Sequence, residues 1–361
     1  MSFGPRTKVA RYDNYRGLRG KMKPGRENAM DSAYSQVDQG RHSFNMRKIV
    51  VFVLTIQIMP TPAAGDEPMP TPLGSRGGNN LLCDDVQQQH LLQHRQLNSR
   101  TLNLLFLNAA ERGCIDLVQR FLTDGASVRA RDRFGNTALL RAARMGENDV
   151  IDALLAAGAD LEHRNLAGST ALLHAVTMNR RRTVKALLQH GADPNVADKH
   201  GITPLVSAAF VGNDGIVDML LAAGAEPNAR DATGKSAVVY ASGKGYTEIV
   251  SRLLDAGVNI DARYEHDLTV LMWAAGHSND VPPAEGRQTV QLLLGRNATI
   301  DLADDRGRTA LMIAAQRGHA EIVALLLETN ANVTSRDNAG QSALELAGND
   351  AVREILANHG D

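Results

Sequence analysis

The chain has 361 residues, and its 39 Lys and Arg nearly balance 40 Asp and Glu, for a formal net charge of −1. That balance excludes a global electrostatic pull toward nucleic acid or an anionic membrane. Hydrophobic residues make up 43% but aromatics only 4%, so a core has to be built from Ala, Leu, Val and Ile, and two cysteines, Cys83 and Cys114, are too few for a disulfide framework.

Residues 1–45 are basic, rich in Gly and Arg and without apolar periodicity. Such a leader cannot bury enough surface to offset its ordering entropy and is expected to be disordered; translation from Met46 would leave it out altogether. Residues 46–65 read as a signal peptide. Arg47 and Lys48 supply the positive end, Ile49 to Met59 the apolar run, and Ala63-Ala64-Gly65 the small residues before a cut at Gly65–Asp66. The run is too short to span a bilayer. Use of this signal places the chain in the periplasm or outside the cell; a start at Met1 that bypasses it leaves the chain cytoplasmic. Residues 66–80 are a Pro- and Gly-rich linker, and residues 81–361 form the folded domain. It opens with a helix over 81–97, whose Leu81, Leu82, Val86, Leu91, Leu92 and Leu97 mark one face.

From about residue 100 the chain repeats itself. Thr137-Ala-Leu, Thr170-Ala-Leu, Thr203-Pro-Leu, Ser236-Ala-Val, Thr269-Val-Leu, Thr309-Ala-Leu and Ser342-Ala-Leu share one register, 33 residues apart except for one step of 40. A further copy, without the Thr, begins near Leu104 and brings the total to about eight units. This period and wording resemble the ankyrin repeat. Each unit contains a Thr or Ser suited to cap a short helix. Small residues such as Ala142-Ala143 and Ala208-Ala209 let neighbouring helices approach. A second helix is apolar on one face, as at Val150, Ile151, Leu154 and Leu155. Gly125, Gly158, Gly191, Gly224 and Gly257 stop that helix in the left-handed conformation, with Asn297 and Asn330 in the same slot later. Gly113, Gly146, Gly212, Gly245 and Gly318, with Asn179 substituting once, do the same between the helices. The fold class expected is all-α: an ankyrin-type solenoid of helix-turn-helix units joined by short β-hairpins, with the helix at 81–97 capping one end and a polar last unit the other.

The resemblance implies a protein-binding scaffold whose concave face is lined by residues four places after each cap: Arg141, His174, Ser207, Tyr240, Trp273, Ile313 and Leu346. Phe210, Tyr240, Trp273 and Ile313 are expected to form one binding strip over four units. The seven extra residues of the 40-residue unit, around Pro282-Pro283, are expected to protrude beside it. The hairpin tips, with Arg131, Arg133, Lys199, Lys235 and Arg306, are the alternative surface. No phosphate loop, nucleophile elbow or zinc helix is present in the sequence, so no enzymatic activity and no cofactor are expected. Cys83, His90 and His94 share a helical face and are the best metal-ligand candidates; a solvated Gln/His-rich face is the plainer reading. Pairing of Cys83 with Cys114 stays open. The partner expected is another protein, with no nucleic acid, no membrane insertion of the mature chain, and a monomeric state. Two other functions stay in play: delivery of metal or cofactor to a periplasmic enzyme such as a catalase, which the resemblance to some exported bacterial ankyrin proteins suggests, and a secreted effector.

Overall fold

The architecture was analysed in a computed structural model, which describes residues 80–93 and 98–359. The readings made for residues 1–45, 46–65 and 66–79, and for His94 and Leu97, lie outside the described residues.

Helix α1 spans Asn80–Gln93. Eight helix pairs follow: α2 Ser99–Glu111 with α3 Ile115–Thr123, α4 Ala138–Met145 with α5 Asn148–Ala156, α6 Ala171–Thr177 with α7 Arg181–Gln189, and α8 Pro204–Val211 with α9 Asp214–Ala222. Then come α10 Ala237–Gly243 with α11 Thr247–Asp255, α12 Val270–Ala275 with α13 Pro283–Gly295, α14 Ala310–Arg317 with α15 Ala320–Glu328, and α16 Ala343–Leu346 with α17 Asp350–Ala357. The first helix of each pair packs on the first helix of the next and on its own second helix, which makes the array a solenoid.

Local chemistry sets each boundary. Thr137, Thr170, Thr203, Thr269 and Thr309 sit in extended backbone and accept the N–H three residues on, from Leu140, Leu173, Val206, Met272 and Met312. Ser342 does the same for Glu345, whose carboxylate accepts the Ser342 N–H in return at 2.6 Å. Ser236 departs from the pattern and makes no cap bond. The expected stops also hold: Gly125, Gly158, Gly191, Gly224 and Gly257 have φ between 82° and 94°, and Asn297 and Asn330 take 63° and 65°. Between these signals the alanine pairs, with Val150, Ile151, Leu154 and their counterparts, are fully buried.

The connections are tighter than the hairpins expected. Two backbone bonds close each, as from the Asp132 N–H to the Asn136 carbonyl and from the Gly135 N–H to the Asp132 carbonyl, and among the described residues only Arg230 and Ser236 pair as a β-bridge. A side chain does the work that further strand rungs would do. Asp132, Asp198, Asp231, Asp304 and Asp337 each accept two backbone N–H groups of their own loop. Neighbouring tips are laced together by bonds such as Leu166 N–H to Phe134 O, 2.9 Å, and Lys199 N–H to Ala167 O, 2.9 Å.

The two ends differ. At the first, Cys83 of α1 and Cys114, just before α3, are joined in a disulfide across 31 positions. Val86 and His90 of α1 are buried, His90 lies edge-on to Phe121, and Arg112 pairs with Asp85 at 2.9 Å. At the other end α16 is cut to four residues and Leu344 is exposed.

A Cβ added at Gly158 meets no atom within 4 Å, yet its φ is 82°. The cost of a side chain there is therefore conformational. Gly158→Val should lower stability by about 1–2 kcal/mol in urea denaturation, whereas Gly158→Asn should lose less than half of that, because Asn serves the same slot at residues 297 and 330. Equal loss for both variants would contradict the assignment.

Candidate protein-binding surface

Because consecutive first helices stack in register, the residues four places after each cap form a row. Its first half is polar and cross-linked. Arg141 donates to Glu111 at 2.8 Å, Asp132 at 3.0 Å and Asn108 at 3.2 Å, and Arg144 shares Glu111 at 2.5 Å. His174 lies 3.2 Å from the Asn165 amide, and burial, with Arg144 nearby, lowers its pKa to about 4. Thr177 and Ser207 hydroxyls meet at 3.0 Å.

The second half is aromatic. Phe210 and Tyr240 stand edge to face with centroids 5.8 Å apart, and the Lys244 ammonium lies 5.4 Å from the Phe210 ring. Tyr240 donates its hydroxyl to Asp231; burial and this carboxylate push its pKa up. Trp273 and Ile313 continue the row, but they are sunk, with only 6% and 9% of their surface exposed. The reason lies seven places after the cap. Phe210 fills that slot in its own unit; the next two units have Gly243 and Gly276 there. The Trp273 ring reaches to 4.0 Å of where a Gly243 Cβ would stand, and an Ile313 methyl to 2.8 Å of the Gly276 position. Each large side chain thus lies over the glycine of the preceding unit. Lys235 covers Trp273 from 5.6 Å. Of the strip expected from Phe210 to Ile313, Phe210 and Tyr240 are in ring contact and half-buried, and they are its accessible part.

The insertion does not simply protrude. Val281 is buried, and its methyl would lie 2.7 Å from a Cβ on Gly245. The Ser278 N–H reaches the Gly243 carbonyl, and buried His277 stacks on His319 with centroids 4.0 Å apart. Apolar Val281 and the two rings draw the loop inward; Pro282 and Pro283 stay exposed, and Pro283 opens α13, which runs 13 residues where the other second helices of complete units run nine. Sequence reasoning missed His277 and Val281. Their signal was slight: a His and a Val inside an otherwise polar loop.

The tips also sort themselves. Lys235 is only 3% exposed and ion-paired with Glu265, and Arg306 pairs with Asp304 at 2.7 Å. Arg131, Arg133 and Lys199 are exposed and, among the described residues, make no ion pair.

The sequence profile described as ankyrin repeats (3 copies) matches residues 81–165, 105–198, 158–231, 205–282 and 284–361. The chain belongs to the ankyrin-repeat family. The crystal structure of the human ASB11 ankyrin repeat domain is similar to it, with a TM-score of 0.55 and 28% identity over 62% of this chain and 98% of that one. No curated protein sequence matches the chain.

The metal-ligand trio does not assemble in this ankyrin domain. Cys83 has no thiolate to offer because its sulfur is bonded to Cys114, His90 is buried against Phe121, and His94 lies outside the described residues. Among the described residues no three His, Cys, Asp or Glu side chains are grouped to hold a metal ion, and no helix is long and apolar enough to cross a membrane.

The stacked histidines set a pH response. Their Nδ1 atoms face carbonyls, Ser278 O at 2.9 Å and Ala275 O at 3.0 Å, so each Nδ1 carries a proton and donates. Burial, then the neighbouring His277, lowers the pKa of His319 to about 4, and burial lowers that of His277. With His319 and His174 near 4 folded and near 6.5 unfolded, the unfolded chain binds more protons between those values. Their contribution is complete above about pH 6.5 and is lost as pH falls through 4, on the order of 3 kcal/mol for each fully buried histidine and less where solvent screens it. Urea midpoints should fall through this window, and His319→Gln should flatten part of the slope; a midpoint independent of pH would contradict this.

Proposed function

We propose that this ankyrin array is a non-catalytic scaffold that binds another protein through the concave face, on a patch centred on Phe210 and Tyr240, and that it acts after export. The observation that carries the binding reading is the clustering of large aromatics at adjacent slots in a chain with few of them. Phe210, Tyr240 and Trp273 fall on three consecutive first helices, with Lys244 beside them. Aromatic side chains are enriched among binding anchors. Sunk Trp273 and Ile313 form the floor, and exposed Pro282 and Pro283 stand on the segment leading into α13.

The Cys83–Cys114 bridge supports export. Structural disulfides persist in oxidising compartments and are rare in the cytosol. The three-part signal at 46–65 points the same way.

Two measurements test these readings. The mature chain, immobilised, is used to capture partners from a cell-envelope extract. Phe210→Ala should weaken retention of the captured protein by at least about tenfold, the cost of truncating a central anchor, while Arg141→Ala matters less. Trp273 is the sole tryptophan, so its emission reports whether each variant keeps its floor intact. Unchanged affinity in folded Phe210→Ala would move the binding surface off the concave face. For export, native protein should begin at or near Asp66 and show no free thiol before reduction. A native chain starting at Met1 with Cys83 and Cys114 both titratable would end that reading.

A further inference from the structure

We infer that the tips of the loops before the second, third and fourth units form a second docking surface, distinct from the concave patch, for an acidic protein segment bearing one large apolar side chain. Phe134 and Leu166 are 54% and 64% exposed, and they are neighbours. The Leu166 N–H donates to the Phe134 carbonyl at 2.9 Å, and the Leu166 side chain lies where a Cβ on Gly135 would come within 3.3 Å of it. Large apolar side chains presented together on loop tips expend solubility with no gain in core packing, and such patches mark interaction sites.

Charge identifies what fits. Arg133 covers one face of the Phe134 ring, its guanidinium carbon 4.6 Å from the centroid. Arg131 and Arg133 flank the apolar pair on one side and Lys199 on the other, all three exposed and without an ion pair among the described residues. The carboxylates between them face inward. Asp132 holds its own loop and Arg141, and Asp198 accepts the N–H groups of His200 and Ile202. The surface is therefore a hydrophobic centre with uncompensated cations at both sides, complementary to carboxylates around an apolar anchor.

A nucleic acid fits less well. Its backbone needs a continuous positive track, and the fringe changes character further along: Lys235 is consumed by Glu265, and His266 is paired with Asp305. Adjacent units are spaced about 8–10 Å apart, so three tips span roughly 20 Å, the reach of about six extended residues. The occupant is a short acidic stretch.

The test is fluorescence anisotropy of the full chain with a labelled peptide of about six residues, glutamates flanking a central phenylalanine. Saturable binding that weakens as salt rises is expected. Arg131→Glu with Arg133→Glu should reduce affinity at least about tenfold, and Phe134→Ser with Leu166→Ser similarly. Both pairs lie on exposed tips, and circular dichroism should be unchanged. Phe210→Ala should bind the peptide as the parent does, so failure of the concave-face reading leaves this one standing, and the reverse. No saturable binding, equal binding of a peptide with serine for phenylalanine, unchanged affinity in both double variants, or displacement of the peptide by an equally charged single-stranded oligonucleotide at lower concentration would each overturn the assignment.

Discussion

The close approach of consecutive first helices is the contact on which everything else in this chain depends. No single unit can bury its apolar stripe alone. Ala142-Ala143, Ala208-Ala209, Ala274-Ala275 and Ala314-Ala315 are fully buried, and their small side chains let neighbouring helices sit side by side over eight units. That spacing brings residues 30 to 33 positions apart into lateral contact. Arg141 can then reach Asn108, Thr177 can meet Ser207, and Phe210 can stand against Tyr240. The row of side chains along the first helices is thus a consequence of the core, and its chemistry is written one residue per unit.

Departures from the repeat are where the array acquires individuality. Replacing the slot of Phe210 by glycine in two successive units turns Trp273 and Ile313 from projecting side chains into a floor. The longer unit spends its extra residues on Val281 and His277, which tie it to the units before and after it, and on a longer α13. At the start of the array, among the described residues, α1 supplies Val86 and His90 beside Phe121 and is held by the Cys83–Cys114 bond. Closing a loop of that length removes on the order of 3–4 kcal/mol of chain entropy from the unfolded state, which is suited to an end unit with only one neighbour.

What could be read in the sequence follows the same division. Thr137, Gly158 and Asn297 act through backbone geometry within a few residues, so their roles were legible from spacing alone. Register followed, and with it the alignment of Phe210, Tyr240, Trp273 and Ile313. Exposure was not legible, because the depth of Trp273 depends on Gly243 one unit earlier and on Lys235 folding over it. The direction of the insertion was hidden for a similar reason: Val281 finds its place against Gly245, and His277 against His319, across unit boundaries. The β-hairpins expected between units were overestimated because Asp132 and its counterparts satisfy the loop N–H groups that strand rungs would otherwise pair.

The most direct test of the stacking account is hydrogen exchange across the array after overpacking one alanine pair. Ala209→Leu places extra methyl groups in a fully buried site, a change that typically costs about 1–3 kcal/mol. In a structure held by nearest-neighbour contacts, exchange should accelerate in α8 and in the first helices on either side, α6 and α10, while α2 and α14 keep their protection. Unchanged exchange in α6 and α10, or uniform loss of protection from α2 to α17, would contradict the account.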